Sequence, residues 1–305
     1  MGRLAPRKPL VRLELSGARR AEAYTIGGPR SYTVEEYNID LEGILYQEPP
    51  SAEVTLAPKG SLLNFSLLPW EPVCRWHNGP LEGGDDPRRR LYCPAPASGG
   101  YCRQHKRSLR ALYEACMGGG FSSLEYCKAV DREVRNEYII YLAWWPSKAS
   151  INVKVGVTRK HRLLERLAEQ PHLAATELTV FDRLYEARKA EMIIAREGIA
   201  RQHTRKTGLG TWGLSKALVE LEAAAERASR LLGVEWHGKL MRIKPPEAPL
   251  GISPVESSRL AGSKMVLAGY WGGMLILRTL QGSSLALARS SDILHRKSLN
   301  GVYKD

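Results

Sequence analysis

From Tyr138 onward the rhythm of the chain changes. Tyr-Ile-Ile-Tyr-Leu-Ala-Trp-Trp is an unbroken apolar and aromatic run, Pro146-Ser-Lys-Ala-Ser is polar, and Ile151-Asn-Val-Lys-Val-Gly-Val-Thr alternates. Runs of that length, rich in β-branched residues and separated by a turn, predict a β-hairpin. Leu163, Leu164, Leu167 and Ala168 then recur at helical spacing, Leu178–Phe181 reads as a third strand, and a long helix begins near Arg183. The predicted order is β-β-α-β-α. Leu214–Leu232 is an amphipathic helix, and Gly233 sits where a left-handed C-terminal residue is expected.

Outside that unit the pattern is shorter. Apolar stretches at Ala23–Ile26, Gly43–Tyr46 and Val54–Leu56, broken by Gly and Pro, predict a β-rich region over residues 1–70. Residues 71–135 carry the Cys and His residues, 136–244 the central unit with its additional helix, and 256–305 a small β module. Pro245, Pro246, Pro249 and Pro254 make 245–255 a linker, and Gly272-Gly273 supplies a two-residue turn between Met265–Trp271 and Met274–Arg278. The fold class expected is a mixed α+β or α/β protein, with no internal repeat.

Composition changes this picture in one respect. The 43% apolar and 25% charged residues describe a folded protein, and no apolar run approaches the roughly 20 residues that cross a bilayer. The start, Met1-Gly-Arg-Leu-Ala-Pro-Arg-Lys, lacks the apolar stretch of a secretory signal, so a cytoplasmic location with no membrane partner is expected. Lys and Arg outnumber Asp and Glu by 45 to 32, a surplus of 13 that attracts polyanions. From Arg88 to Tyr113 there are seven basic residues and no acidic one. Arg88, Arg89, Arg90, Arg159, Lys160 and Arg162 are therefore candidate contacts to a nucleic acid, DNA or RNA.

Cys74-Arg-Trp-His77, Cys93 and Cys102-Arg-Gln-His105 place five metal-ligand side chains within 32 residues. Zn²⁺ needs four, and pairs separated by two residues can reach one ion from a tight turn. The preferred set is Cys74, Cys93, Cys102 and His105, with His77 as an alternative ligand or an outer group. Four protein ligands leave no open position, so such a zinc is structural. Cys116 and Cys127 are close enough in sequence to be bridged, although free thiols are the default in a reducing compartment.

In the central unit Arg162, Glu165, Arg166 and Glu169 share one helix face at i, i+3 and i+4 spacing, either as a solvated row of ion pairs or as a functional face. Glu191 falls inside the apolar stripe of Leu184, Ala187, Ile194, Ala195 and Gly198. A carboxylate aimed inward requires a cation, a metal or a proton. His161, His172 and His203 lie near this unit, and Tyr138, Trp144, Trp145, Tyr185 and Trp212 are either core or platforms for stacked bases.

Ile139-Ile140-Tyr141, Lys154-Val155-Gly156 after twelve intervening residues, Arg166 and Glu191 together resemble the GIY-YIG nuclease superfamily over about Tyr138–Arg201. Tyr141-Leu-Ala, Lys154-Val-Gly-Val-Thr-Arg and Arg166-Leu-Ala-Glu-Gln are similar to an uncharacterised prokaryotic branch of it. The resemblance implies a catalytic group of Tyr141, which helps activate water, Arg166, which clamps phosphate, and Glu191, which binds Mg²⁺ or Mn²⁺. Ile139 stands where the family has Gly, and Lys154 where it has Tyr; Lys154 is expected to contact phosphate. The expectation is a divalent-metal-dependent endonuclease, with a non-catalytic nucleic-acid-binding protein on the same fold as the alternative.

Overall fold

A computed structural model describes residues 4–25, 28–65, 72–97, 99–145, 151–202, 213–245, 255, 257–281, 285–289 and 299–303. His203, Trp212, the Pro146–Ser150 turn and most of the 245–255 linker lie outside the described residues. The protein is a mixed α+β chain with two sheets and five α-helices among the described residues.

In chain order the elements are β1 (Ala5–Thr25), β2 (Gly28–Gln47), β3 (Val54–Pro58), β4 (Leu62–Phe65), α1 (Leu109–Gly118), α2 (Leu124–Glu133), β5 (Tyr138–Trp144), β6 (Val153–Arg159), α3 (Leu163–Ala168), β7 (Ala174–Phe181), α4 (Leu184–Arg196), α5 (Leu214–Leu232), β8 (Leu240–Ile243), β9 (Lys264–Trp271), β10 (Met274–Thr279), β11 (Leu285–Arg289) and β12 (Leu299–Tyr303). The larger sheet runs β1-β2-β8-β7-β5-β6, with β3 also on β2. Its β2–β8 pair is parallel, whereas β5 pairs antiparallel with both β6 and β7.

The chain forms two compact units, each discontinuous in sequence, where the reading along the chain expects four consecutive segments. One contains residues 1–12, 40–112 and 246–305; the other contains 13–39 and 113–245. The β-rich N-terminal region is built on strands much longer than its short apolar runs predict. β1 and β2 are 21 and 20 residues long, because charged residues on their exposed face interrupt the apolar pattern without interrupting the hydrogen bonding. In the first unit β4 is inserted between β9 and β12 of the antiparallel sheet β11-β10-β9-β4-β12, so the C-terminal strands share their core with a strand from residues 62–65.

The second unit realises the predicted β-β-α-β-α order. Every residue of β5 is buried, as expected of a central strand covered on both faces, and α4 and α5 both pack against it. The third strand begins four residues earlier than predicted, at Ala174. Gly233 closes α5 in the left-handed region at φ 66°. In the first unit Gly272 and Gly273, at φ 60° and 76°, make the two-residue turn that pairs Trp271 with Met274. The N-terminus of α4 has no cap from its own preceding residue. Instead Asp131 of α2 accepts the Leu184 and Tyr185 N–H groups at 2.8 and 2.9 Å.

Candidate metal centre and basic cluster

Two short segments, Val73–His77 and Tyr92–Pro96, meet as a narrow antiparallel ribbon bridged at Val73–Pro96 and His77–Tyr92. It delivers Cys74 and Cys93 to one place. The Cys102–His105 turn, closed by the His105 and Lys106 N–H groups on the Cys102 carbonyl, delivers the other two ligands. The ligand atoms of Cys74, Cys93, Cys102 and His105 all lie within 4.8 Å of one another.

The individual edges are metal-sized. Cys74 Sγ and Cys102 Sγ are 3.6 and 3.4 Å from His105 Nδ1, and Cys93 Sγ is 3.9 Å from Cys102 Sγ. A regular tetrahedron with Zn–S of about 2.3 Å and Zn–N of about 2.1 Å has S–S edges of about 3.8 Å and S–N edges of about 3.6 Å. These four residues therefore form a Cys₃His cluster that can hold a metal such as zinc, the set preferred from the sequence. His77 is not part of it. Its Nδ1 accepts the Gly79 N–H at 3.1 Å, and its Nε2 is 3.4 Å from Arg90 Nη1.

The surroundings support the cluster. Trp76 stacks on His105 with ring centroids 4.1 Å apart, and the Cys102 N–H points at Cys74 Sγ at 3.3 Å. Arg7 on β1 donates to the carbonyls of both Cys74 and Cys93, at 2.7 and 2.8 Å, and to the side chain of Gln47. With a metal bound and the three cysteines ionised, this guanidinium would offset the negative charge of the site, the role of an outer group in a metal centre. Burial pulls the Arg7 pKa down to about 10, which still leaves it cationic at neutral pH. Sequence reasoning missed Arg7 because 67 residues separate it from Cys74.

The basic residues before and after this loop divide sharply. Arg90 is bidentate on Asp85, at 2.6 and 2.7 Å, and partly buried; it braces the loop at His77. Arg88 is paired with Glu42, and Arg89 is exposed. Arg159 is only 6% exposed, with its guanidinium 5.6 Å from the Tyr113 ring, so burial removes it from the nucleic-acid contacts expected of it. Lys160 pairs with Glu137. Arg162 pairs with Glu165 and Glu169, so the helix face is, in part, the row of ion pairs its spacing allows.

The second unit gathers the residues singled out by the resemblance. Tyr141 and Gly156 are cross-strand partners on β5 and β6. Gln170 joins two of the others: its Nε2 donates to Tyr141 Oη at 2.9 Å, and its Oε1 accepts from Lys154 Nζ at 3.0 Å. The Lys154 ammonium is 5.9 Å from the Tyr141 ring centroid. Arg166 donates to Glu169 at 2.6 Å, and its side chain is 40% exposed.

Glu191 is 4% exposed and is paired with Arg188, one turn earlier on α4. Burial raises its carboxyl above the ordinary range, against the lowering fields of Arg188, Lys154 and Arg166. The inward carboxylate thus has its cation within its own helix. Arg188 was missed in the sequence, although an arginine three residues before a buried glutamate is a readable signal. Arg188 is itself fixed by the carbonyls of Cys116 and Gly119, at 3.2 and 2.8 Å, in the segment that a Cys116–Cys127 disulfide holds.

Tyr141 is 1% exposed and its hydroxyl is occupied by Gln170, a setting unlike that of a group activating bulk water. His172 is fully buried: its Nδ1–H donates to the Gln170 carbonyl at 2.9 Å and its Nε2 accepts the Ile243 N–H at 3.3 Å. It is a core histidine rather than a spare base. Tyr138, Trp144 and Trp145 are also buried, so they are core and not stacking platforms. Tyr185 lies under Lys128, 5.0 Å from its ammonium.

Comparison with protein-family models, curated proteins and solved structures finds no match to the chain. No helix among the described residues is long and apolar enough to cross a membrane.

Proposed function

We propose that the protein binds nucleic acid, with zinc in the Cys₃His cluster and with Arg166 and Lys154 as phosphate contacts on a GIY-YIG-like unit. The observation that carries this reading is the contrast between exposed and buried members of the central cluster. Arg166 is partly open to solvent, while its neighbours Tyr141 and Glu191 are buried and already bonded. Such a layer is suited to holding cations in place for a phosphate, whose oxygens a guanidinium can engage bidentately. The net surplus of 13 basic residues adds the long-range attraction.

A second reading is metal-dependent phosphodiester hydrolysis, favoured by the closeness of Arg166 to both Tyr141 and Glu191. It requires Mg²⁺ or Mn²⁺ to replace Arg188 at the Glu191 carboxylate and water to reach Tyr141. Labelled single- and double-stranded DNA and RNA, incubated with the wild type, Arg166→Ala and Lys154→Ala with and without Mg²⁺ or Mn²⁺, separate the readings. Salt-sensitive binding without cleavage, weakened in both variants, supports the binder. Metal-dependent cleavage lost in Arg166→Ala supports the nuclease. An unchanged affinity in both variants rejects the assigned phosphate contacts.

A further inference from the structure

β1 is the terminal strand of the larger sheet, so one side of its backbone has no neighbouring strand among the described residues. Unprotected edges of this length invite a further strand. From Arg12 to Tyr24 its even-numbered side chains are all exposed, whereas Val11, Leu13, Ala21 and Ala23 on the other face are partly or fully buried. Between them Leu15, Gly17 and Arg19 are exposed as well, with Gly17 at φ 139°, so the middle of the edge is open to solvent on both faces.

The sequence of that edge is complementary to itself. Set antiparallel to a second copy about Gly17, it places Arg12 opposite Glu22, Glu14 opposite Arg20, and Ser16 opposite Ala18 on the exposed face. On the other face Val11 meets Ala23, Leu13 meets Ala21, and the exposed Leu15 meets the aliphatic stem of Arg19. Two-fold symmetry repeats each charged pair, giving four attractions between directly opposed side chains. Gly17 is the one position that meets itself, and it has no side chain.

The neighbouring symmetric registers are repelled. Centred on Ser16, the strands put Arg12 opposite Arg20; centred on Ala18, they put Glu14 opposite Glu22. Like charges directly opposed are destabilising. A single alignment is therefore selected by charge. Glu14 and Arg20 are both exposed.

We propose that the occupant of the β1 edge is a second copy of this chain, paired antiparallel about Gly17 in a two-fold dimer. The test is analytical ultracentrifugation of the full chain across a micromolar concentration series, for the wild type, Glu14→Arg, Arg20→Glu and the double variant. The wild type is expected to dimerise. Each single change puts like charges opposite at two symmetry-related places and is expected to weaken the dimer about tenfold or more. The double variant Glu14→Arg/Arg20→Glu restores both attractions and recovers the wild-type dissociation constant. A wild type that stays monomeric, single variants that dimerise as well as the wild type, or a double variant as weak as the singles each overturns the proposal. Because both side chains are exposed, melting curves recorded at a concentration where all four proteins are monomeric are expected to coincide.

Discussion

The ring of Tyr141 lies against Gly156, its partner across β5 and β6, so closely that a Cβ built on Gly156 would stand 2.5 Å from the tyrosine Cζ. The glycine is needed for the approach of a side chain, not for an unusual backbone angle. It lets the phenol reach Gln170, which in turn holds Lys154. Gly156→Ala is expected to push the ring aside and cost about 1–3 kcal/mol, as overpacked core positions do. Tyr141→Phe keeps the ring and leaves the Gln170 amide unpaired, at about 1 kcal/mol. Urea unfolding of the two variants checks the order. A Gly156→Ala protein as stable as the wild type would show that the ring has room to move.

The metal centre makes a separate prediction. The Cys₃His cluster lies in a loop with little regular structure, so a metal bound there would contribute to folding of that loop. Purified protein is expected to contain about one zinc per chain, released by a strong chelator with loss of thermal stability. Cys74→Ser and His105→Ala lower the zinc content, whereas His77→Ala leaves it unchanged because His77 is engaged with Gly79 and Arg90. Metal analysis by plasma mass spectrometry decides between them. Full zinc occupancy in Cys74→Ser would remove that residue from the ligand set.

Features that depend on near neighbours were legible in the chain. The β5–β6 hairpin, the end of α5 at Gly233 and the Gly272-Gly273 turn each rest on a few consecutive residues whose pattern admits one local structure. The four members of the Cys₃His cluster were legible because the spacing of these Cys and His residues suits the reach of one ion. The lengths of β1 and β2 were not, since exposed charges hide strand periodicity and part of β2 pairs with the distant β8. Insertion of β4 into the C-terminal sheet and the support of Cys74 by Arg7 are likewise contacts between distant segments. At Glu191 the requirement for a partner was readable, but the choice between Arg188, Arg166 and a metal depended on which cation shares the buried side of α4.

Asp131 caps a helix to which it does not belong, accepting the Leu184 and Tyr185 N–H groups at the start of α4. This contact ties α2 to the helix that carries Glu191. Asp131→Ala is expected to destabilise the protein by about 1–2 kcal/mol, and Asp131→Asn by less, because its amide oxygen retains one acceptor. Chemical denaturation measures both. Amide exchange at Leu184 and Tyr185 should quicken before the rest of α4 responds; equal acceleration along the whole helix would show that the carboxylate does not act as a local cap.

The buried His172 connects stability to pH. Its two hydrogen bonds, one donated to Gln170 and one accepted from Ile243, require the neutral ring. Burial lowers its pKa from the model-compound value of 6.5 to about 4. Between those values the unfolded chain binds a proton that the folded chain refuses, so stability falls as pH falls. The contribution is fully present above about pH 6.5 and is lost on approach to pH 4, where the difference amounts to about 3 kcal/mol. His77, also pulled down by burial, to about 3, acts in the same direction. The check compares urea unfolding at pH 7 and pH 5 for the wild type and His172→Asn. The variant keeps a donor toward Gln170 and cannot titrate, so it should be less stable at pH 7 yet lose less on acidification. An equal loss in both proteins would place the acid sensitivity elsewhere.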